Sequence, residues 1–418
     1  MLQLGITALL AFYVAWNLGA NDVANAMGTS VGSKAVSLKQ ALIIAGVLEF
    51  TGAVLFGDRV SETLATEIVN PALFATQPQL LLIGMMSVLL ACGLWLQIAT
   101  SRGFPVSSSH AVVGAIAGFS CVAIGTDAID WSSIGTITIA WVVTPLVSGA
   151  IAALFYSIIK RWILEQNDPL QQLYEWIPWL SSALLAVFGV IVLPAVSQPI
   201  YRFLQQRLGV NIPAHDLPLL FGVCAAVGLT IISWRQLDAR VIDQSKIQNP
   251  VESQLAKFQL LSACFVAFAH GSNDVGNAIA PLAAINYIYL TGTVPINGIT
   301  IPLWILTLGG VGIVSGLAVW GKKVIATIGE GIIPLQPSAG FCAELATATT
   351  ILLASRFGLP VSTSHALVGG VVGIGIVQGS KHIKFKTVQG ILLAWLITVP
   401  AGAILGAGIF AIMRILNT

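Results

Sequence analysis

Twelve apolar runs follow one another along the chain, at about residues 2–30, 40–57, 79–99, 104–121, 132–159, 178–197, 217–235, 256–283, 300–320, 334–355, 359–378 and 388–413. A helix needs roughly 20 apolar residues to cross the hydrocarbon core of a bilayer. The pattern therefore predicts an all-α polytopic membrane protein of about twelve transmembrane elements. The runs 104–121 and 359–378 are short and open on proline and a cluster of hydroxyls. Each is readable as a full crossing or as a re-entrant hairpin. The longest polar connection, about 236–255, holds Asp238, Arg240, Asp243 and Lys246 and is too short for a separate soluble domain.

Charge tests this count, because cytoplasmic loops are rich in Lys and Arg. Let the N-terminus lie outside and the chain change sides at every run. Lys34, Lys39, Arg102, Lys160, Arg161, Arg235, Arg240, Lys246, Lys257, Lys322, Lys323, Lys381, Lys384 and Lys386 then fall inside, and Arg59, Arg202, Arg207, Arg356 and Arg414 outside, 14 against 5. The bias supports a multi-pass protein of the cell (inner or plasma) membrane with both termini outside. The opening stretch MLQLGITALLAFYVAW has no positive segment ahead of it, the first cation being Lys34. It reads as a retained span and not as a signal peptide.

Composition removes other classes. Charged residues make up 9% of the chain and hydrophobic ones 56%, against about 25% charged in soluble domains. The solvent that fits is the lipid bilayer. A net charge of +2 with no basic run gives no sign of a nucleic-acid partner. The five cysteines, Cys92, Cys121, Cys224, Cys264 and Cys342, lie inside apolar runs without a CxxC pair. They read as small residues packing between helices, with no disulfide framework or metal cluster.

The chain repeats itself. Residues 19–26 read GANDVANA and 271–278 read GSNDVGNA, 252 positions on. Residues 104–118 read FPVSSSHAVVGAIAG and 359–373 read LPVSTSHALVGGVVG, 255 on. Ala140-Trp141 is echoed by Ala394-Trp395, 254 on. Matches at nearly one offset indicate duplication. Each matching pair of runs is seven steps apart, an odd number, so the second copy is expected to cross in the opposite sense. The expected division is a first inverted repeat at 1–160, connecting helices with a central cytoplasmic loop at 161–255, and a second inverted repeat at 256–418. Such repeats hold substrate near the bilayer midplane, on interrupted helices or re-entrant hairpins.

The repeated motifs carry the candidate chemistry. Asp22 lies inside an apolar run, where a carboxylate is costly unless paired. Asn25, three positions on, shares its helical face, and Asn21 is adjacent. Gly19 is expected to let the helix break and free carbonyl oxygens. Carboxylate, amide and carbonyl oxygens suit a small hard cation such as sodium. The same holds for Gly271, Asn273, Asp274 and Asn277; the plain alternative is an interhelical hydrogen-bond cluster. In PVSSSH and PVSTSH, Pro105 and Pro360 suit a helix start. Ser107, Ser108 and Ser109, and Ser362, Thr363 and Ser364, follow as caps and donors. Two opposed helix starts would offer a tetrahedral oxyanion many donors. His110 and His365 could donate to that anion, relay protons or lock the hairpins. Arg102 and Arg356 stand before the two hairpins as snorkelling anchors or anion lures. Glu49 and Glu344 are unmatched carboxylates at membrane depth, able to take a proton, touch a cation or accept a hydrogen bond from a protonated substrate.

Taken together, GANDVANA, GSNDVGNA, PVSSSH and PVSTSH resemble the inorganic phosphate transporter (PiT) family, and the four motifs cover nearly the whole chain. The resemblance implies a secondary symporter, not an enzyme, that imports inorganic phosphate on a sodium or proton gradient, with no cofactor beyond that ion. It implies that Asp22, Asn25, Asp274 and Asn277 bind the coupling cation and that the hydroxyls of 107–109 and 362–364 bind the anion. Glu49 and Glu344 stand where family members carry glutamates linked to phosphate transport. A homodimer is expected, and the short central connection resembles prokaryotic members. Gly276 replaces the Ala24 of the first copy, a small departure. The nearest rival is a sulfate permease on the same scaffold. Hydrogen phosphate keeps a proton near neutral pH and sulfate does not, so a phosphate site needs an acceptor such as Glu49 or Glu344. An intramembrane Ser/His hydrolase is disfavoured, because the motifs are duplicated and no HExxH or GxSxG is present. A channel would be marked by indifference to a cation gradient.

Overall fold

The structure, a computed structural model, describes residues 2–102, 106–208, 213, 215–242, 249–328, 335–379, 381 and 383–416. Among them are fourteen α-helices and no β-strand. In chain order these are α1 (Leu2–Gly32), α2 (Leu38–Phe56), α3 (Asp58–Thr66), α4 (Pro78–Ser101), α5 (Ser108–Ala123), α6 (Trp131–Ile159) and α7 (Pro169–Ile191). There follow α8 (Leu193–Leu208), α9 (Asp216–Ile242), α10 (Pro250–Thr291), α11 (Leu303–Ile328), α12 (Pro337–Arg356), α13 (Thr363–Gln378) and α14 (Phe385–Leu416).

Among the described residues each apolar run falls mainly on a helix, with one division: the run at 178–197 is split between α7 and α8. The central connection shrinks, because α9 and α10 extend into it; Asp243 and Lys246 lie outside the described residues, as does Pro105. Among the described residues, eight helices are long and apolar enough to cross a membrane: α1, α2, α4, α6, α9, α11, α12 and α14. α5 and α13 are apolar but have only 16 residues each. α10, at 42 residues, is long enough, but the polar side chains buried along it lower its hydropathy.

One expectation is overturned. α1 runs unbroken through Gly19, and α10 runs unbroken through Gly271. Neither glycine opens its helix or frees a carbonyl. Each lets two backbones touch instead. A Cβ on Gly19 would sit 1.9 Å from the Ile313 carbonyl oxygen of α11, and one on Gly271 would sit 2.0 Å from that of Glu49 in α2. Membrane helices lack a hydrophobic drive to associate, so close approach through small residues supplies the packing.

The elements that carry matching motifs are α1 and α10, the hairpins α4–α5 and α12–α13, and α6 and α14. They interlock crosswise. α1 packs on α11 and α10 on α2, while α5 packs on α14 and α13 on α6. Glycines again set the last two contacts. Cβ atoms on Gly114 and Gly118 would meet the carbonyls of Val399 and Ala403 at 2.3 and 2.1 Å. On the other side, Gly369 and Gly373 meet those of Pro145 and Gly149, each at 2.2 Å. Pro145 and Pro400 occupy matching places inside α6 and α14.

Candidate functional site

The start of α13 shows how the chain builds a hairpin tip. α12 ends in a Schellman turn, with the Leu359 N–H donating to the Ala354 carbonyl at 3.0 Å and the Gly358 N–H to that of Ser355 at 3.0 Å. Gly358 has φ +69°, a left-handed conformation that glycine adopts without strain. Ser362 then caps α13 by accepting the His365 N–H at 3.4 Å. In α5, Ser107 caps by accepting the His110 N–H at the same distance. One hydroxyl of each triplet is thus spent on its own helix, at least in part, and the other two stand in the first turn.

The two tips meet. Ser109 Oγ donates to the Val361 carbonyl at 2.9 Å, across the halves of the chain. The Asn-Asp motifs of α1 and α10 line the same region. Asn277 Nδ2 donates to Ser108 Oγ at 3.0 Å and to Ser109 Oγ at 3.3 Å. Thr363 Oγ1 donates to Asp274 Oδ2 at 2.5 Å. Asn25 Nδ2 donates to Asp22 Oδ1 at 3.0 Å. Asn21 and Asn273 tie the motifs to the first arms of the hairpins, with Asn21 Nδ2 to Thr100 Oγ1 at 2.7 Å and Asn273 Nδ2 to Ser355 Oγ at 2.9 Å.

The two glutamates part company. Glu49 Oε1 lies 3.2 Å from His270 Nδ1, whose other nitrogen lies 3.2 Å from Asp274 Oδ2. Both contacts are close but poorly aligned for hydrogen bonding, and they become ionic only when His270 carries a proton. Asp22 completes the group: one ligand atom each from Asp22, His270 and Asp274 lie within 4.8 Å of one another. Glu344 lies elsewhere, toward the end of α1, in a nest of donors: Thr29 Oγ1 at 2.5 Å, Ser30 Oγ at 2.7 Å, Ser262 Oγ at 2.8 Å and Gln259 Nε2 at 3.2 Å. No bond joins it to the serines of 107–109 or 362–364 among the described residues. His110 and His365 turn their rings to Trp395 and Trp141 and not to a serine side chain.

The sixteen candidate binding and relay residues, the hydroxyls of 107–109 and 362–364, the six Asn-Asp motif residues, Glu49, Glu344, His110 and His365, are at most 5% exposed. Buried Asn273 Oδ1, Asp274 Oδ1 and Asn277 Oδ1 accept no hydrogen bond among the described residues. Oxygen donors of this kind fit a hard cation. Among the described residues, the buried charged side chains are Asp22, Glu49, Glu252, Asp274 and Glu344, with no Lys or Arg. Arg102 and Arg356 are exposed at the ends of the first hairpin arms.

Three features escaped the sequence reading. Thr100 and Ser355 are 255 positions apart, so the repeat itself marked them. Trp141 and Trp395 were seen only as an echo. His270 stands directly before GSND, where the first copy has Leu18; lacking a twin, it is invisible to a comparison of the halves.

The sequence profile of the phosphate transporter family matches residues 18–406. A putative phosphate permease of Chlamydia trachomatis is 41% identical over 415 residues, covering 97% of both chains. One of Haemophilus influenzae is 38% identical over 98% of this chain and 96% of its own. The chloroplastic inorganic phosphate transporter 2-1 of Arabidopsis thaliana is 40% identical over 96% of this chain and 70% of its own. A solved structure described as the sodium-dependent phosphate transporter superposes with a TM-score of 0.88 at 35% identity, over 99% of this chain and 100% of that one. Joined to the paired Asn-Asp motifs and serine-rich helix starts, these matches establish that this multi-pass membrane chain belongs to the phosphate transporter family.

Proposed function

We propose that the chain is a secondary symporter that brings inorganic phosphate into the cell together with sodium. One observation carries the reading: the site gathers carboxylates, amide oxygens and hydroxyls, the buried residues described include no Lys or Arg, and His270 is already engaged by Glu49 and Asp274. An anion entering that region meets negative charge in a poorly screened interior, and a buried charge needs a companion. The companion must arrive with the substrate, which is the physical meaning of symport. Asp22, Asn25, Asp274 and Asn277, with Asn21 and Asn273 beside them, are the cation ligands in this reading. Ser108, Ser109, Thr363 and Ser364 face the anion from the two helix starts, with Ser107 and Ser362 holding those starts in shape. Sodium is favoured over protons by the oxygen donors and by the sodium-dependent neighbour at 35% identity.

Glu49 is the acceptor suited to the proton of hydrogen phosphate, because it adjoins His270 and Asp274. The oxygens of Glu344 already receive four donors. This favours phosphate over sulfate. The two halves, 1–160 and 256–418, are taken as inverted repeats that expose the site alternately to either side.

The test is uptake of labelled phosphate into proteoliposomes with the sodium and proton gradients set independently. Uptake should follow the sodium gradient and fall to background in Asp22→Asn and Asp274→Asn. Uptake indifferent to sodium, or unchanged in both variants, would refute the reading. Excess sulfate should leave wild-type uptake intact, and Glu49→Gln should lose phosphate selectivity.

A further inference from the structure

Beside the candidate site lies a group of four aromatic rings that neither the ions nor the anion requires. Its geometry is reciprocal. The His110 ring packs on Trp141 of α6 with centroids 3.9 Å apart, and the His365 ring on Trp395 of α14 at 3.6 Å. Each histidine then reaches the opposite helix: His110 Nδ1 lies 3.2 Å from the Trp395 carbonyl oxygen, and His365 Nδ1 lies 3.2 Å from that of Trp141. The two imidazoles meet edge to face at 4.7 Å. Trp141 also donates its indole N–H to the Pro360 carbonyl at 2.9 Å, two residues before the cap of α13. All four side chains are at most 7% exposed.

A carbonyl can only accept, so each Nδ1 must carry the hydrogen. Both Nε2 atoms are buried without a protein partner among the described residues. What the geometry does supply is register. His110 and His365 are in the first turns of α5 and α13, three residues after the caps Ser107 and Ser362. An α-helix rises 1.5 Å per residue, so a slide of one helix start by a single residue would take its imidazole out of reach of the carbonyl.

We propose that His110, His365, Trp141 and Trp395 form a crossed latch that sets the spacing of the two serine-rich helix starts, making the histidines positioning residues for the anion. Each half of the chain thereby holds the binding tip of the other. The inference rests on the phosphate-symport reading.

The chemistry offers a sharp test. In asparagine the amide nitrogen occupies the place of histidine Nδ1 and can donate to the same carbonyl. In glutamine it falls at the place of Nε2 and cannot. Phosphate uptake is measured in proteoliposomes for wild type, His110→Asn, His110→Gln, His365→Asn and His365→Gln, per folded transporter. Glutamine should raise the KM for phosphate about tenfold, the effect of losing roughly one hydrogen bond, with kcat little changed. Asparagine should stay within about threefold of wild type. Because the rings touch, the double glutamine variant should cost less than the product of the singles. Trp141→Phe keeps a ring but loses the N–H, and provides a second reading if a histidine variant fails to fold; it too should raise KM. Equal KM for Asn and Gln, or a loss of folded protein alone, would overturn the latch. Wild-type uptake tests the transport reading, and the Asn–Gln contrast tests this one.

Discussion

At the scale of single residues, glycine and the buried acids decide most. Gly271→Ala places a methyl group against the backbone oxygen of Glu49, which cannot step aside as a side chain could. Overpacking of this kind costs about 1–3 kcal/mol or more, and melting in detergent should show a clear fall. Gly135→Ala, with nothing within 4 Å of the new methyl, is the control. It should hold or gain up to about 1 kcal/mol from helix propensity. Glu344 tests the opposite case. Three of its donors meet Oε1 and only Ser262 meets Oε2, so Glu344→Gln can keep the three on its carbonyl while Ser262 accepts the amide and donates to the Gln259 carbonyl. A stability change of at most about 1 kcal/mol is expected, read by the same melting curve.

At the scale of elements, the hairpin tips are where local chemistry becomes a site. Ser362→Ala removes the cap of α13, which costs about 1 kcal/mol, and should lower phosphate affinity as well as melting temperature. Ser109→Ala instead cuts the bond to Val361 between the two tips; its effect should fall on affinity more than on stability. How much of this was legible in the sequence depended on the kind of signal. Hydropathy located the helices because lipid demands apolar surface over a fixed length. Repetition located the Asn-Asp and serine-rich motifs that the fold gathers, because the same constellation occurs twice. The unbroken course of α1 and α10 was not legible: Gly19 and Gly271 are compatible both with a break and with a close crossing, and only the partner helix decides between them. The placement of Glu49 and Glu344 was hidden for the same reason, since unmatched acids take their meaning from their neighbours. His270 beside Glu49 and the Thr29–Ser30 nest beside Glu344 appear only in three dimensions.

At the scale of the molecule, the two halves are not stacked but exchanged, each hairpin resting on the last helix of the other half. In the inverted arrangement we propose, the hairpins enter from opposite faces of the membrane. Single cysteines in a cysteine-free background test this. Gln77→Cys and Thr126→Cys should react with an impermeant thiol reagent applied outside intact cells. Gln336→Cys and Lys386→Cys, exposed at the matching ends of the second hairpin, should react only after permeabilisation. Reaction of all four from one side would refute the inverted arrangement.

The seat of α5 on α14 has a consequence for how the protein is made. A ribosome delivers α14 only after α1 to α13, so the groove around Gly114 and Gly118 has no occupant until all of those have been made. The first serine-rich tip therefore cannot take its final place during translation of its own half. A chain stopped before Phe385 should insert its earlier helices yet be cleared by proteolysis, and supplying the missing helix as a separate peptide should rescue it.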